Sequence, residues 1–161
     1  MNRDSKLKAV FGRDTDPISD VEQRAIEEFG PDAIVWEGDA MTFAFSFVSA
    51  SAEKVLGHGR SRWTKELTFW ADHVVAPEDR EEAIAYCALA TAKKRDHVFE
   101  YRARTRDGQT RWLRDYVKVI VGAKGIPVKL RGVMIDVSGE RQGAAAPPLF
   151  SPAREELLKT G

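Results

Sequence analysis

Four side chains in this sequence have the types best suited to holding a metal, attacking an electrophile or passing a proton: the single cysteine Cys87 and the three histidines His58, His73 and His97. A nucleophile needs a base beside it, and a catalytic pair of carboxylates needs a shared cleft. The local patterns that bring such groups together are missing: there is no G-x-S-x-G, no H-E-x-x-H, no phosphate-cradling P-loop and no G-x-G-x-x-G. The acidic residues sit at helix starts or at alternate strand positions, the distribution of solvated faces, so no catalytic activity is expected of this chain. One cysteine can form neither an intrachain disulfide nor a cysteine-based zinc site. Neutral imidazole is an axial ligand for haem iron, which keeps the histidines in play.

The elements that must position these groups begin with strands. From Phe99 to Arg106, the residues Phe99, Tyr101, Ala103 and Thr105 alternate with Glu100, Arg102, Arg104 and Arg106, placing one face in a core and the other in water. Asp107-Gly108 supplies a tight hairpin turn, Arg111 to Val121 returns, and Gly122 to Gly125 turns again into a third strand from Val128 to Val137. Gly132 interrupts that last strand and predicts a bulge or a close approach of another group. Upstream, Ala33 to Glu37 and Thr42 to Ser49 are two further strands joined through Gly38-Asp39-Ala40, with Phe43, Phe45 and Phe47 on one face.

Short helices are expected over residues 50–56 and 62–70. A long one opens at Pro77, with acidic residues in its first turns and Lys93, Lys94 and Arg95 at its end, matching the helix dipole. Its small apolar face is Ile84, Cys87, Ala88 and Thr91. Residues 1–15 are polar and mixed in charge. Asp16-Pro17, or Ser19 with Glu22, can cap a helix over residues 17–29 whose apolar stripe includes Ile18, Val21, Ala25 and Phe29. That stripe either covers the sheet or meets a second copy of the chain.

Composition narrows the function classes. Twenty-five basic residues balance 25 acidic ones in 161, leaving no cationic excess for a nucleic-acid backbone, so nucleic acid is not an expected partner. No apolar run approaches the roughly 18 residues of a membrane span, and the first residues lead into no signal-peptide core. A cytoplasmic protein without direct membrane contact is expected. Beyond residue 138 the glycines and prolines of 139–148 form a linker, and Ser151-Pro152 can cap a short last helix through Lys159.

The run E-Y-R-A-R-T-R-D-G-Q-T-R-W-L-R-D over residues 100–115, followed by G-I-P-V-K-L-R-G-V-M-I-D-V over 125–137, resembles the C-terminal half of a PAS domain, in the subgroup with a Trp after the hairpin turn. Phe47 to Gly57 resembles the N-terminal signature of that family, and Phe69-Trp70 with Pro77-Glu78-Asp79-Arg80 resembles the segment before its long helix. These matches fall in order over roughly residues 32 to 138. The resemblance implies an α+β fold: a five-stranded antiparallel sheet with helices packed on one face, preceded by an amphipathic helix. It implies three regions: an N-terminal extension (1–31), the PAS domain (32–138), and a linker with a short C-terminal helix (139–161).

It also implies a sensor in a bacterial-type signalling protein, such as a histidine kinase or a cyclic-nucleotide regulator, that binds a small ligand or a partner and relays a conformational shift to an output domain. The alternative is a ligand-free dimerisation module. A pocket between the sheet and the long helix would be lined by Phe45, Phe47, Leu56, Trp70, Val74, Ile84, Cys87, Tyr101 and Met134, taking a small metabolite or nothing. Flavin photosensors of this fold carry a reactive Cys in an Asn-Cys-Arg motif and a Gln on the last strand; here that Gln position is Met134 and the motif is missing, which disfavours a flavin adduct. His73 is the one candidate haem ligand, ranked below the other readings because it lies three residues upstream of where the subgroup carries a His. A homodimer through Ile18, Val21, Ala25 and Phe29 is the expected partner contact, since the family often pairs copies through a helix outside its core. In many sensors the aspartate ending the last strand starts a signalling helix, which Gly139, Gly143 and the prolines would break here.

Overall fold

The computed structural model describes residues 2–141 and 147–159 of the chain, so Gly143 lies outside the described residues. The alternating segments form one antiparallel sheet of β1 (Ile34–Asp39), β2 (Phe45–Val48), β3 (His97–Arg104), β4 (Thr110–Val121), β5 (Pro127–Asp136) and β6 (Phe150–Ser151), in the spatial order β2-β1-β5-β4-β3-β6. The β3-β4-β5 meander turns where expected, with Gly108 at φ 86° in the first hairpin, a backbone state that a side chain would strain. The α+β architecture is present with one strand more than the expected five. The extra strand, β6, is only two residues long and pairs Phe150 with Phe99 and Ser151 with Val98, too short for any periodicity to announce.

The helices between β2 and β3 lie on one face of the sheet, as expected, and the N-terminal helices cover the other. The inner face is covered by α3 (Ser51–Leu56), α4 (Arg60–Lys65), a π-helical turn (Trp70–Val74) and α5 (Pro77–Ala92). The expected helix over 62–70 ends early because Thr68 takes φ 62° and the chain restarts as the π turn. Pro77 opens α5 as its first residue, and the next residues tie it down. Arg80 donates to the carbonyls of Ala71, Asp72 and Val75, acceptors that a helix end leaves without intrahelical partners. Asp79 accepts from the Arg102 backbone N–H at 2.7 Å and from its guanidinium at 2.7 and 2.9 Å, fixing the start of α5 to β3.

The outer face carries two N-terminal helices. The first, α1 (Arg3–Phe11), falls within the polar run of residues 1–15, where no helix was expected; Asn2 caps it by accepting from the Ser5 N–H, and only Val10 and Phe11 are buried. The second, α2 (Ile18–Phe29), fits the predicted helix, yet neither proposed cap is used. Asp16 instead accepts from the Arg13 N–H and from Arg24, joining the loop to the helix side. Val21 and Ala25 are fully buried against Val35, Val98 and Val133 of the sheet, and Phe29 stacks on Tyr116 with ring centroids 5.7 Å apart. The stripe assigned to a dimer contact is therefore occupied by the chain's own sheet, with Ile18 at its border.

After β5 the chain turns over residues 138–141, and residues 147–159 return along the β3 edge. There α6 (Arg154–Lys159) sends Leu157, fully buried, into the inner core. Among the described residues no helix is long and apolar enough to cross a membrane.

Candidate functional site: a buried carboxylate in the inner core

The inner core is an aromatic layer between the sheet and the helices. Trp36 stacks on Phe45 at 4.9 Å, Phe45 meets Trp63 at 5.5 Å, and Trp70 stands edge-on to Tyr101 at 5.6 Å. Trp36 fits because its β5 neighbour is Gly132: a Cβ there would fall 2.1 Å from the indole, so close approach, not a bulge, explains this glycine. A cavity of about 10 Å³ remains, lined in part by Trp36, Phe45, Trp70, Cys87, Phe99 and Asp115. That is room for about one water.

Asp115 is the unusual member of this lining. Along β4 the residues Leu113, Asp115, Val117 and Val119 share the core-facing parity, and the carboxylate is 1 % exposed. Its Oδ1 accepts from Trp36 Nε1 at 3.0 Å and its Oδ2 from the Tyr101 hydroxyl at 2.8 Å; Tyr101 in turn accepts from Trp70 Nε1 at 3.0 Å. No cation pairs with it, since the charged residues lining the cavity, among those described, are Asp115 and Asp39 alone. Burial pushes its carboxyl up to about 7, and the hydrogen bonds from Trp36 and Tyr101 pull the other way. Burial and the charge of Asp115 also raise Tyr101 far above the usual phenol range, so the shared proton stays on the tyrosine.

A second buried pair lies behind the cavity. His97 donates from Nδ1 to the Arg95 carbonyl at 2.9 Å, which leaves Nε2 as acceptor for the Cys87 thiol at 3.4 Å. Burial pushes Cys87 up to about 12 and His97 down to about 4, so both are neutral over the physiological range. A thiol held this way is not a nucleophile.

The predicted pocket residues divide accordingly. Phe45, Trp70 and Cys87 line the cavity, while Leu56, Val74, Tyr101 and Met134 are buried in the same core around it. Phe47 is on the opposite face, because β2 carries a bulge: Glu37 pairs with Phe47 but Gly38 pairs with Phe45, and the extra residue, Ser46, flips the parity. Ile84 is only half-buried, since α5 turns Ala83, Tyr86, Cys87 and Ala90 inward instead. His73 is exposed and stacks on Phe69 at 5.3 Å, away from the cavity, and a cavity of about 10 Å³ fits neither haem nor flavin. Asp115 and Trp36 went unpredicted although strand parity points both inward.

The segment Phe45 to Met134 matches the family model described as the PAS fold, and the chain belongs to the PAS family. A solved structure similar to it is the N-terminal domain of a diguanylate cyclase with PAS/PAC sensor from Marinobacter aquaeolei, 34 % identical over 68 % of this chain and 98 % of that one, with a TM-score of 0.63. A sensory box histidine kinase/response regulator from Burkholderia thailandensis is 24 % identical, covering 76 % of this chain and 88 % of that one at a TM-score of 0.61. A light-oxygen-voltage domain studied with a flavin analogue shares the fold at 16 % identity and a TM-score of 0.59, over 74 % of this chain and 87 % of that one. No curated protein sequence matches the chain. Its relatives are sensor domains of signalling proteins, and the family is sensory rather than catalytic.

Proposed function

We propose that this domain senses a change in its inner core and passes it to an output through residues 147–159. The observation that carries this reading is shared support. Phe99 of β3 and Cys87 of α5 line part of the cavity, and those same elements hold the returning segment: Tyr86 of α5 donates to the Pro152 carbonyl at 2.6 Å, and its ring meets Phe150 at 5.0 Å and Phe99 at 5.5 Å. A shift of Tyr101 or Cys87 on the cavity side is thus one packing layer from the exit of the chain. Coupling of this kind is a population shift between two packings of a dense core, limited by how differently the signal binds each. The output would be a kinase or cyclase domain of the same parent protein or a signalling partner, in the cytoplasm.

Hydrogen exchange tests it. Cys87→Ala perturbs the cavity side of α5, enlarging the cavity and removing the thiol that His97 Nε2 accepts, and it should speed exchange at the Glu100 amide, which bonds the Leu149 carbonyl, and at Leu157, with about tenfold acceleration for each 1.4 kcal/mol of local destabilisation. Altered exchange around the cavity with Glu100 and Leu157 unchanged would refute the coupling. The small cavity also favours a second reading, a ligand-free interaction module whose contact is a surface other than the buried Val21 and Ala25.

A further inference from the structure

We propose that the ligand of this core is a proton, taken up at Asp115, and that the Trp36, Tyr101 and Trp70 network reads its arrival. This deepens the sensor reading above and rests on it. The geometry is the reason. Both groups on the carboxylate are donors: the Trp36 indole N–H can only donate, and the Tyr101 hydroxyl donates to Asp115 while accepting from Trp70, which also can only donate. The arrangement is complete for an ionised carboxylate and has no acceptor for an acid proton. When a solvent proton binds Asp115 Oδ2, its one available partner in this network is the Tyr101 oxygen, and the Tyr101 hydrogen must leave its present line. The one-water cavity and the weakly accepting Cys87 sulfur border the same space. Proton uptake therefore reorients Tyr101 and with it the hydrogen bond to Trp70, on β3 and the π turn at once.

The cavity of about 10 Å³ leaves room for a proton and about one water, and its walls, among the described residues, bring no cation to Asp115. From β1 it is faced by Trp36, with the Asp39 carboxylate at the cavity rim held by the N–H groups of Met41 and Thr42. From β3 come Tyr101 and Phe99, from the π turn Trp70, from α5 the Cys87 thiol backed by His97, and from β5 Leu130 and Met134. None of these brings a positive charge, so burial favours the acid and the two donors favour the anion. Burial on one side and donated hydrogen bonds on the other, with no ion pair nearby, place a carboxyl where ordinary changes of pH reach it.

Indole ¹H–¹⁵N resonances across a pH titration from about 5 to 9 test the proposal, a window that spans documented buried acids. The Trp36 and Trp70 signals should move together with one midpoint, while Trp63 and Trp112, outside the network, stay as controls. Asp115→Asn should hold both signals flat. Because that variant could fail to fold, Tyr101→Phe provides a second arm: losing one donor should raise the midpoint seen at Trp36 by about one unit. Flat Trp36 and Trp70 signals in the wild-type protein, or a titration that persists in Asp115→Asn, would overturn it. Flat indoles with intact exchange coupling from Cys87 to Leu157 discard the proton and keep the sensor; lost coupling with a normal titration does the reverse.

Discussion

Two carboxylates occupy successive register pairs of the same hairpin, Asp115 opposite Phe99 and Glu100 opposite Arg114, on opposite faces of one sheet. Both are almost fully buried, at 1 % and 4 % exposure. Their surroundings differ completely. Glu100 is met by Arg114 at 2.8 Å, by Arg141 at 3.0 Å and by the Leu149 N–H, so its charge is neutralised and its lone pairs are filled. Asp115 has two neutral donors and, among the described residues, no cation. Burial alone does not make a carboxylate functional; burial with an opposing charge makes an anchor, and burial without one makes a group whose ionisation can be changed. Glu100 anchors the chain's exit, since Arg141 and Leu149 both belong to the turn and return after β5, and Arg141 also lies 3.9 Å over the Trp112 ring.

Removing the anchor should have the largest effect. Glu100→Ala takes the buried carboxylate from Arg141 and leaves Arg114 only the exposed Glu140, and breaking a buried pair from one side costs about 3–5 kcal/mol, the lower end being expected here. Urea unfolding should show that loss, and a loss below about 1 kcal/mol would demote Glu100 to an ordinary surface charge. Asp115 behaves oppositely with pH. Its folded carboxyl is raised from 3.8 to about 7, so the folded state binds more protons than the unfolded one between those values, and this group's contribution is full below about 4 and lost as pH rises through 7. A rise of that size corresponds to about 4 kcal/mol as an upper bound. The stability difference between wild type and Asp115→Asn should therefore change steadily from pH 4 to 7 in favour of the variant, whereas a difference independent of pH would contradict the assignment. Asp39 and Asp79 run the other way, both lowered, and lose their share only as pH falls below their unfolded values.

The contrast between the two carboxylates also marks what the sequence made legible. Strand parity gave the meander, the hairpin turns and the inward Phe99 and Tyr101, and Pro77 gave the start of α5, because these depend on neighbours in sequence. The same parity placed Glu100 on the solvent side; it gives the face of a strand but not what will later cover that face. Residues 147–151 and Arg141 cover it, brought back by a two-residue strand that no pattern announces. Phe47 failed for a related reason, since one bulged residue, Ser46, reverses parity without changing composition. Asp115 was legible in principle as a charge at a core-facing position of β4. The stripe on α2 showed correctly that something apolar lies against it, and only the tertiary fold shows that this is its own sheet.

The smallest expected effect tests the link between the two regions. Tyr86 stands between them: its ring packs on Phe99, the β3 residue registered with Asp115, and its hydroxyl holds Pro152, just past Phe150 on the strand that closes over Glu100's edge. Tyr86→Phe keeps the ring and removes one neutral hydrogen bond, which costs about 1 kcal/mol. If the exit is held chiefly by the Glu100 anchor, global stability should fall by that amount while exchange at Leu157 hardly moves. If the inner core holds it, exchange at Leu157 should accelerate about fivefold, matching the same 1 kcal/mol locally, with the Trp36 and Trp70 titration unchanged because no group on Asp115 has been touched. The second pattern is the expected one, since Leu157 lies in the inner core and not in the layer around Glu100.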